Sequence, residues 1–192
     1  MDKYGKMKSK KKIVEVFTDG SSFNNSRKAT KKLAGGIGVF WGINDIKNIS
    51  EPFYIKPITN NRAEIYAVIK AIETYAVSYD QKCKGNITLK INTDSMLLIN
   101  TMTKWYKTWK ARGWKKADGK TPLNLDLLCH LDHLIEKYKK CFTVEFSHVR
   151  AHKSPPRDKK TKKYFLWFGN DQADYLAKQG SIKYLSKEYC KK

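Results

Sequence analysis

Ile13-Val14-Glu15-Val16-Phe17-Thr18-Asp19-Gly20-Ser21-Ser22 is the stretch on which the rest of the chain is organised. Ile13, Val14, Val16 and Phe17 are β-branched or aromatic, and that pattern predicts a buried strand. Asp-Gly-Ser-Ser is a run of turn formers, so the strand is expected to stop there. Asp19 then stands at the carboxyl end of a core strand, where open α/β sheets gather their ligand chemistry. On this segment alone, an aspartate that merely starts a turn explains the pattern as well. The two readings part because three more acidic residues recur downstream in similar settings.

Outward from this strand, residues 1–12 are a lysine-rich arm, read as flexible: a solvated tail or a phosphate-grasping one. The expected folded domain runs over residues 13–182, followed by a basic tail at 183–192. Phe23 to Lys32 reads as a polar loop carrying Asn25. Gly35 to Trp41 is a second strand, and Glu51 to Lys56 a third, with Pro52 and Pro57 at its ends or on an edge. Three short consecutive strands suggest an antiparallel meander.

Asn60 or Asn61 is expected to cap the first long helix, which places Glu64 in its first turn, where a carboxylate also satisfies the helix dipole. Ile87 to Asp94 alternates apolar and polar residues and ends at a second strand-terminal aspartate. A helix starts at Ser95, so Asp94 as a plain N-cap is the competing account. Strand, helix, strand implies a right-handed parallel crossover, which sets Asp94 beside Asp19. Between Lys104 and Lys116, Trp105, Trp109 and Trp114 interleave with cations, Lys115 among them. That pattern suits nucleic-acid binding better than core tryptophans with solvated lysines. Pro122 is expected to start a helix to about Lys139, and Phe142 to Phe146 is a further core strand leading to His148 and His152. Lys153 to Phe168 reads as a long basic loop. Gly169 then opens a last helix with Asp171 and Asp174 one turn apart.

The chain has 192 residues, enough for one domain with a substantial core. Its 39 Lys and Arg against 18 Asp and Glu give a net charge of +21, an excess that implies a polyanionic partner. Nucleic acid comes first, ahead of an anionic membrane surface or a packaging role. Only Arg27, Arg62, Arg112, Arg150 and Arg157 are arginines. Lysine suits phosphate contact better than bidentate base reading, so weak sequence preference is expected. The four cysteines show no metal-binding spacing and read as free thiols of an intracellular protein, cytoplasmic or nuclear. No apolar run is long enough to cross a bilayer and no signal peptide is evident. Monomer is the default.

Asp19 and Asp94 at neighbouring strand tips, with Glu64 and Asp174 early in helices, make four converging carboxylates. They can share a site only if cations neutralise them. Oxygen-only ligands select hard ions, so Mg²⁺, with Mn²⁺ as a substitute, fits. Two ions about 3.5–4 Å apart clamp the attacking and leaving oxygens of an in-line phosphoryl displacement.

Thr18-Asp19-Gly20-Ser21, Thr59-Asn60-Asn61-Arg62-Ala63-Glu64, Thr93-Asp94-Ser95, the tryptophan segment and Gly169-Asn170-Asp171-Gln172-Ala173-Asp174 together resemble ribonuclease H type 1, in family order. The resemblance implies a ribonuclease H-like α/β fold with a five-stranded mixed sheet flanked by helices. It implies hydrolysis of the RNA strand of an RNA–DNA hybrid, leaving 5′-phosphate and 3′-hydroxyl ends. By position, Asp19, Glu64, Asp94 and Asp174 become the metal-binding acids, and His152, rather than His148, the histidine that assists product release or proton movement. Asn25, Thr59, Asn60 and Asn61 match hybrid contacts. Trp105, Trp109, Trp114 and Lys115 match a basic protrusion that grips the DNA strand, with Asn124 a phosphate contact after it. Several features depart from the family pattern, among them an extended, basic loop after Asn25. Ala151-His152-Lys153-Ser154 replaces a Gly-His-x-Gly-type loop, the loop that follows is long and basic, and Met96 stands where a polar residue is frequent.

Overall fold

The computed structural model describes residues 12–23, 33–79, 87–150 and 154–189. Five strands form one mixed sheet: β1 (Lys12–Phe23), β2 (Ala34–Phe40), β3 (Ile49–Pro52), β4 (Ile87–Thr93) and β5 (Thr143–His148). Their order is β3-β2-β1-β4-β5. The first three form the expected antiparallel meander, and β4 and β5 add to β1 in parallel. The helices are α1 (Asn60–Ser78), α2 (Met96–Asn100), α3 (Tyr106–Ala111), α4 (Leu125–Tyr138) and α5 (Lys162–Tyr189), with a π-helical turn at Thr101–Trp105 between α2 and α3. Among the described residues no helix is long and apolar enough to cross a membrane.

Each face of the sheet is covered. The larger core cluster joins Val16, Ile37, Val39, Leu89 and Ile91 of the sheet to Ile65, Val68, Ile69 and Ile72 of α1 and Leu128 and Leu131 of α4. A second cluster of Phe17, Phe40, Val149 and Ala173 lies under α5. The period-2 alternation of β1 separates the two, with Val16 facing one layer and Phe17 the other.

Several boundaries differ from the sequence reading. β1 does not stop at Asp19; it runs on through Gly20-Ser21-Ser22 to Phe23, paired with β2 from Phe17↔Phe40 to Phe23↔Ala34. What ends here is the neighbour: the parallel ladder with β4 stops at Phe17↔Asn92 and β4 itself at Thr93. Gly20 is in the strand for close approach, since a Cβ there would lie 2.2 Å from the backbone nitrogen of Glu64. β3 is shorter and earlier than Glu51 to Lys56; Pro52, opposite Gly36, ends it on the sheet edge where no N–H is required. α4 starts at Leu125 rather than Pro122, because Asn124 takes a left-handed conformation (φ 62°) that asparagine tolerates.

The largest difference is α5, which begins seven residues before Gly169, inside the expected loop. Thr161 starts it, accepting hydrogen bonds from Tyr164 N through its hydroxyl (3.2 Å) and from Phe165 N through its carbonyl (3.1 Å). The ring of Phe165 packs edge-on against Phe17 and that of Phe168 against Phe40, so the lysine-rich first turn is anchored to the core.

Candidate active site

The tips of β1 and β4 and the first turns of α1 form the site. Extending the β1–β4 register two residues puts Asp19 beside Asp94, as the crossover argument requires. Glu64 enters from α1, whose N-cap is Thr59, not Asn60 or Asn61: its hydroxyl accepts from Arg62 N (3.3 Å). Glu64 therefore lies beyond the first turn, and the helix-dipole account of it falls away. Asp94 is not a cap either. Ser95 caps α2, accepting from Leu98 N (3.3 Å) while donating to Glu64 Oε2 in a short hydrogen bond.

Asp19, Glu64 and Asp94 each offer a carboxylate oxygen, and the three oxygens lie within 4.8 Å of one another. Burial first, and then the neighbouring Asp94 carboxylate, hold the Asp19 carboxyl well above its ordinary range; a hydrogen bond from Gly20 N (2.8 Å) opposes the rise. Asp174 and Glu64 add smaller contributions to the same rise. Burial also raises Glu64, against the Ser95 hydrogen bond. Three oxygen donors at this spacing match the coordination demands of a hard divalent cation.

These raised values have a consequence for stability. A carboxyl with a raised folded-state pKa contributes stability below its unfolded value and loses it as pH rises through its folded value. Without divalent ions, the stability of the protein relative to its Asp19→Asn variant should therefore fall from acid toward neutral pH. Urea midpoints of both proteins in chelator across that range measure it, and a pH-independent difference would refute the coupling.

Asp174, the fourth expected acid, stands apart from this trio. It projects from α5 near enough to influence Asp19, but its Oδ2 accepts from Lys178 Nζ at 2.5 Å. Asp171, one turn earlier, is exposed. His152 and Asn25 lie outside the described residues.

A cavity of about 240 Å³ runs from Glu64 toward the tryptophan segment, walled by Glu64, Asn61, Ser95, Trp105, Trp109 and Asn124, among others. It brings together residues far apart in sequence. Arg62, 4% exposed, makes a bidentate pair with Asp126 at 2.7 and 2.5 Å. That pair joins the starts of α1 and α4, and thus sets Asn61 opposite Asn124. Asn124 makes no capping hydrogen bond with its side chain. Asn60 lies to the side, its Oδ1 accepting from Ser22 Oγ at 2.6 Å. The Trp105 and Trp109 rings are 5.8 Å apart; Trp105 is exposed, while Trp109 also packs on the core. Trp114 sits half-buried in a left-handed turn (φ 60°), with Gly113 before it. Lys115 turns back to Thr121 Oγ1 (3.1 Å), and it is Lys116 that reaches the cavity wall.

No sequence signal singles out Ser95 as the partner of Glu64, Lys116 as the lysine of the cavity wall, or the pair that braces α3. In that pair Lys110 Nζ donates to the buried Asp132 Oδ2 of α4 at 2.6 Å, and the same carboxylate lies against Tyr106. The tryptophan helix is thus tied by its polar side chains to one buried acid, besides the packing of Tyr106 and Trp109 on the core. Asp132→Asn is expected to raise KM for nucleic acid several-fold with kcat unchanged; steady-state kinetics with an intact hybrid decides, and an equal loss in kcat would place Asp132 in another role.

Known proteins are similar to this chain in sequence and fold. A family model described as RNase H matches residues 11–182. Ribonuclease H1 of Homo sapiens is 33% identical over 169 residues, covering 88% of this chain and 50% of that protein. Ribonuclease H of Nitrosomonas eutropha is 33% identical over 183 residues, covering 95% of this chain and 98% of that one. The chain spans about half the length of its rat, mouse and human relatives. Among solved structures, LC9-RNase H1, described as a type 1 RNase H with the type 2 active-site motif, superposes with a TM-score of 0.61 at 25% identity, over 93% of this chain and 76% of that one. With the sheet order, the carboxylate trio and a match along nearly its whole length, this chain belongs to the RNase H family.

Proposed function

We propose that the protein is an endonuclease that hydrolyses the RNA strand of RNA–DNA hybrids, leaving 5′-phosphate and 3′-hydroxyl ends. The observation that carries this is the convergence of Asp19, Glu64 and Asp94, with Glu64 also walling a cavity that Asn61, Asn124 and the paired tryptophans line. Asp19, Glu64, Asp94 and Asp174 hold Mg²⁺ ions, with Mn²⁺ as a substitute. When bound, the ions supply activation of the attacking water and stabilisation of the leaving oxygen. Asp19 and Asp94 take their positions from adjacent strands. Ser95 orients Glu64, which keeps one oxygen free. Asp174 joins by releasing Lys178. His152 assists product release or moves a proton.

Thr59, Asn60 and Asn61, with Asn25, contact the hybrid's minor groove, where 2′-hydroxyls distinguish RNA from DNA. Asn124 takes a phosphate. Trp105, Trp109, Trp114 and Lys115, with Lys116, grip the DNA strand as a basic protrusion. The charge of +21, mostly lysine, supplies sequence-independent affinity.

The test is incubation with labelled hybrid, double-stranded RNA and double-stranded DNA, each with and without Mg²⁺. Cleavage of the hybrid's RNA strand alone, abolished by chelator, is the expected outcome. Tight binding of all three without cleavage in either metal would identify a nucleic-acid binder instead.

A further inference from the structure

Beyond the carboxylates, on the α5 side, lies a cleft of about 850 Å³ that the proposed chemistry does not use. It is walled by His148, Val149 and Arg150 after β5, by Ser154, Pro155, Pro156 and Arg157, and by Lys163, Leu166 and Trp167 on the first turns of α5. Among the described residues no acidic side chain lines it, and no ion pair engages Arg150, Arg157 or Lys163. Phe165 and Phe168 turn inward onto Phe17 and Phe40, which leaves the half-buried Trp167 on the other face of the helix. Guanidinium and ammonium groups around an aromatic ring and two prolines suit a ligand with one phosphate and one flat base. The volume is in the range of clefts that hold such ligands, roughly 300–1,000 Å³.

The position supplies the rest. His148 pairs with Thr93, and Val149 N donates to Thr93 O at 2.9 Å, so the cleft begins one residue from Asp94. The tryptophan cavity begins at Glu64, on the α1–α4 side. The carboxylates thus stand between the two cavities.

We propose that this cleft holds one nucleotide unit, its phosphate among Arg150, Arg157 and Lys163 and its base against Trp167. The proposal rests on the nuclease reading above. The unit comes from an unpaired end of the strand that leaves the acids, or from a free nucleoside monophosphate, and both present the same chemistry.

The experiment compares the full chain with blunt hybrids, with hybrids extended by a short unpaired segment at each strand end in turn, and with adenosine monophosphate. One extension should tighten binding about fivefold or more, the scale of a single base stacked on an aromatic ring. The gain should vanish in Trp167→Ala and in the Arg157→Ser/Lys163→Ser double variant. It should persist in Lys137→Ser/Lys140→Ser, which removes the same charge at the other end of β5. The double variant alters exposed side chains only, so it decides the matter if Trp167→Ala fails to fold. Quenching of tryptophan fluorescence by adenosine monophosphate, lost in the same variants, would assign the cleft to the free nucleotide. Equal affinity at every end and no response to the nucleotide, or gains that survive both cleft variants, would overturn the proposal while blunt-hybrid cleavage still upheld the nuclease. Failure of the wild-type protein to cleave blunt hybrid would instead count against the nuclease reading.

Discussion

Asp19→Asn is expected to lower kcat for hybrid cleavage by about three orders of magnitude or more, the scale of losing several kcal/mol of charge stabilisation at the reacting phosphate. Hybrid affinity should hold or rise. Both effects have one cause. Asp19 is the most buried acid of the trio and sits where Asp94, Asp174 and Glu64 all raise its proton affinity, so an amide removes repulsion together with a donor. Neutralising it also removes a negative charge from the path of a polyanion. Cleavage rates with saturating Mg²⁺, alongside affinity measured in Ca²⁺ or chelator, separate the two. A variant that keeps metal-dependent turnover would remove Asp19 from the chemistry and with it the proposed function.

Gly38→Ala should destabilise the protein by about 3 kcal/mol, at the upper end of the usual overpacking cost. For a chain of this size that is a drop in Tm of about 6–12 °C. A Cβ at Gly38 would meet the Ala173 carbonyl oxygen at 2.0 Å and the Ala177 nitrogen at 2.6 Å. Both are helix backbone, with no flexible side-chain end to move aside, so α5 as a whole must shift off β2. Asp174 follows Ala173, hence cleavage measured well below the melting point should fall as well. Gly42→Ala is the control, since nothing lies within 4 Å of a Cβ there. Equal melting of the two variants would show that α5 is not seated through Gly38.

The parts of the site that depend on period and topology were legible in the sequence. Alternation in Ile87 to Asp94 and the parallel crossover rule put Asp94 beside Asp19, and helical spacing after Thr59 brought Glu64 near them. Details that composition cannot distinguish were not. Asp-Gly-Ser-Ser reads as a turn because a glycine that lets a helix approach looks the same as one that lets the chain reverse. Thr59, Asn60 and Asn61 are all good caps; Thr59 is the one that caps the helix, and Asn60 is taken by Ser22 across the gap. The first turns of α5 were hidden by their lysines, although Thr161 followed by Tyr164, Phe165 and Phe168 carries a cap and helical aromatic spacing. The choice between Lys115 and Lys116 turns on a local hairpin, where Lys116 N donates to Lys120 O and Gly119 adopts a left-handed conformation (φ 76°). Neither charge nor periodicity reports that.

β1 outlasting β4 has a further consequence. Asp19 lies inside an unbroken antiparallel ladder, opposite Gly38, although it stands at an open strand tip on its other side. Its backbone therefore belongs to the most cooperative unit of the molecule, and cannot open without the core opening with it. The tryptophan segment is built the other way, from a π-turn and a helix of six residues braced at one acid. On warming, grip should loosen while the carboxylates still stand in place, so a hot enzyme of this kind lets go of its substrate before it forgets how to cut it.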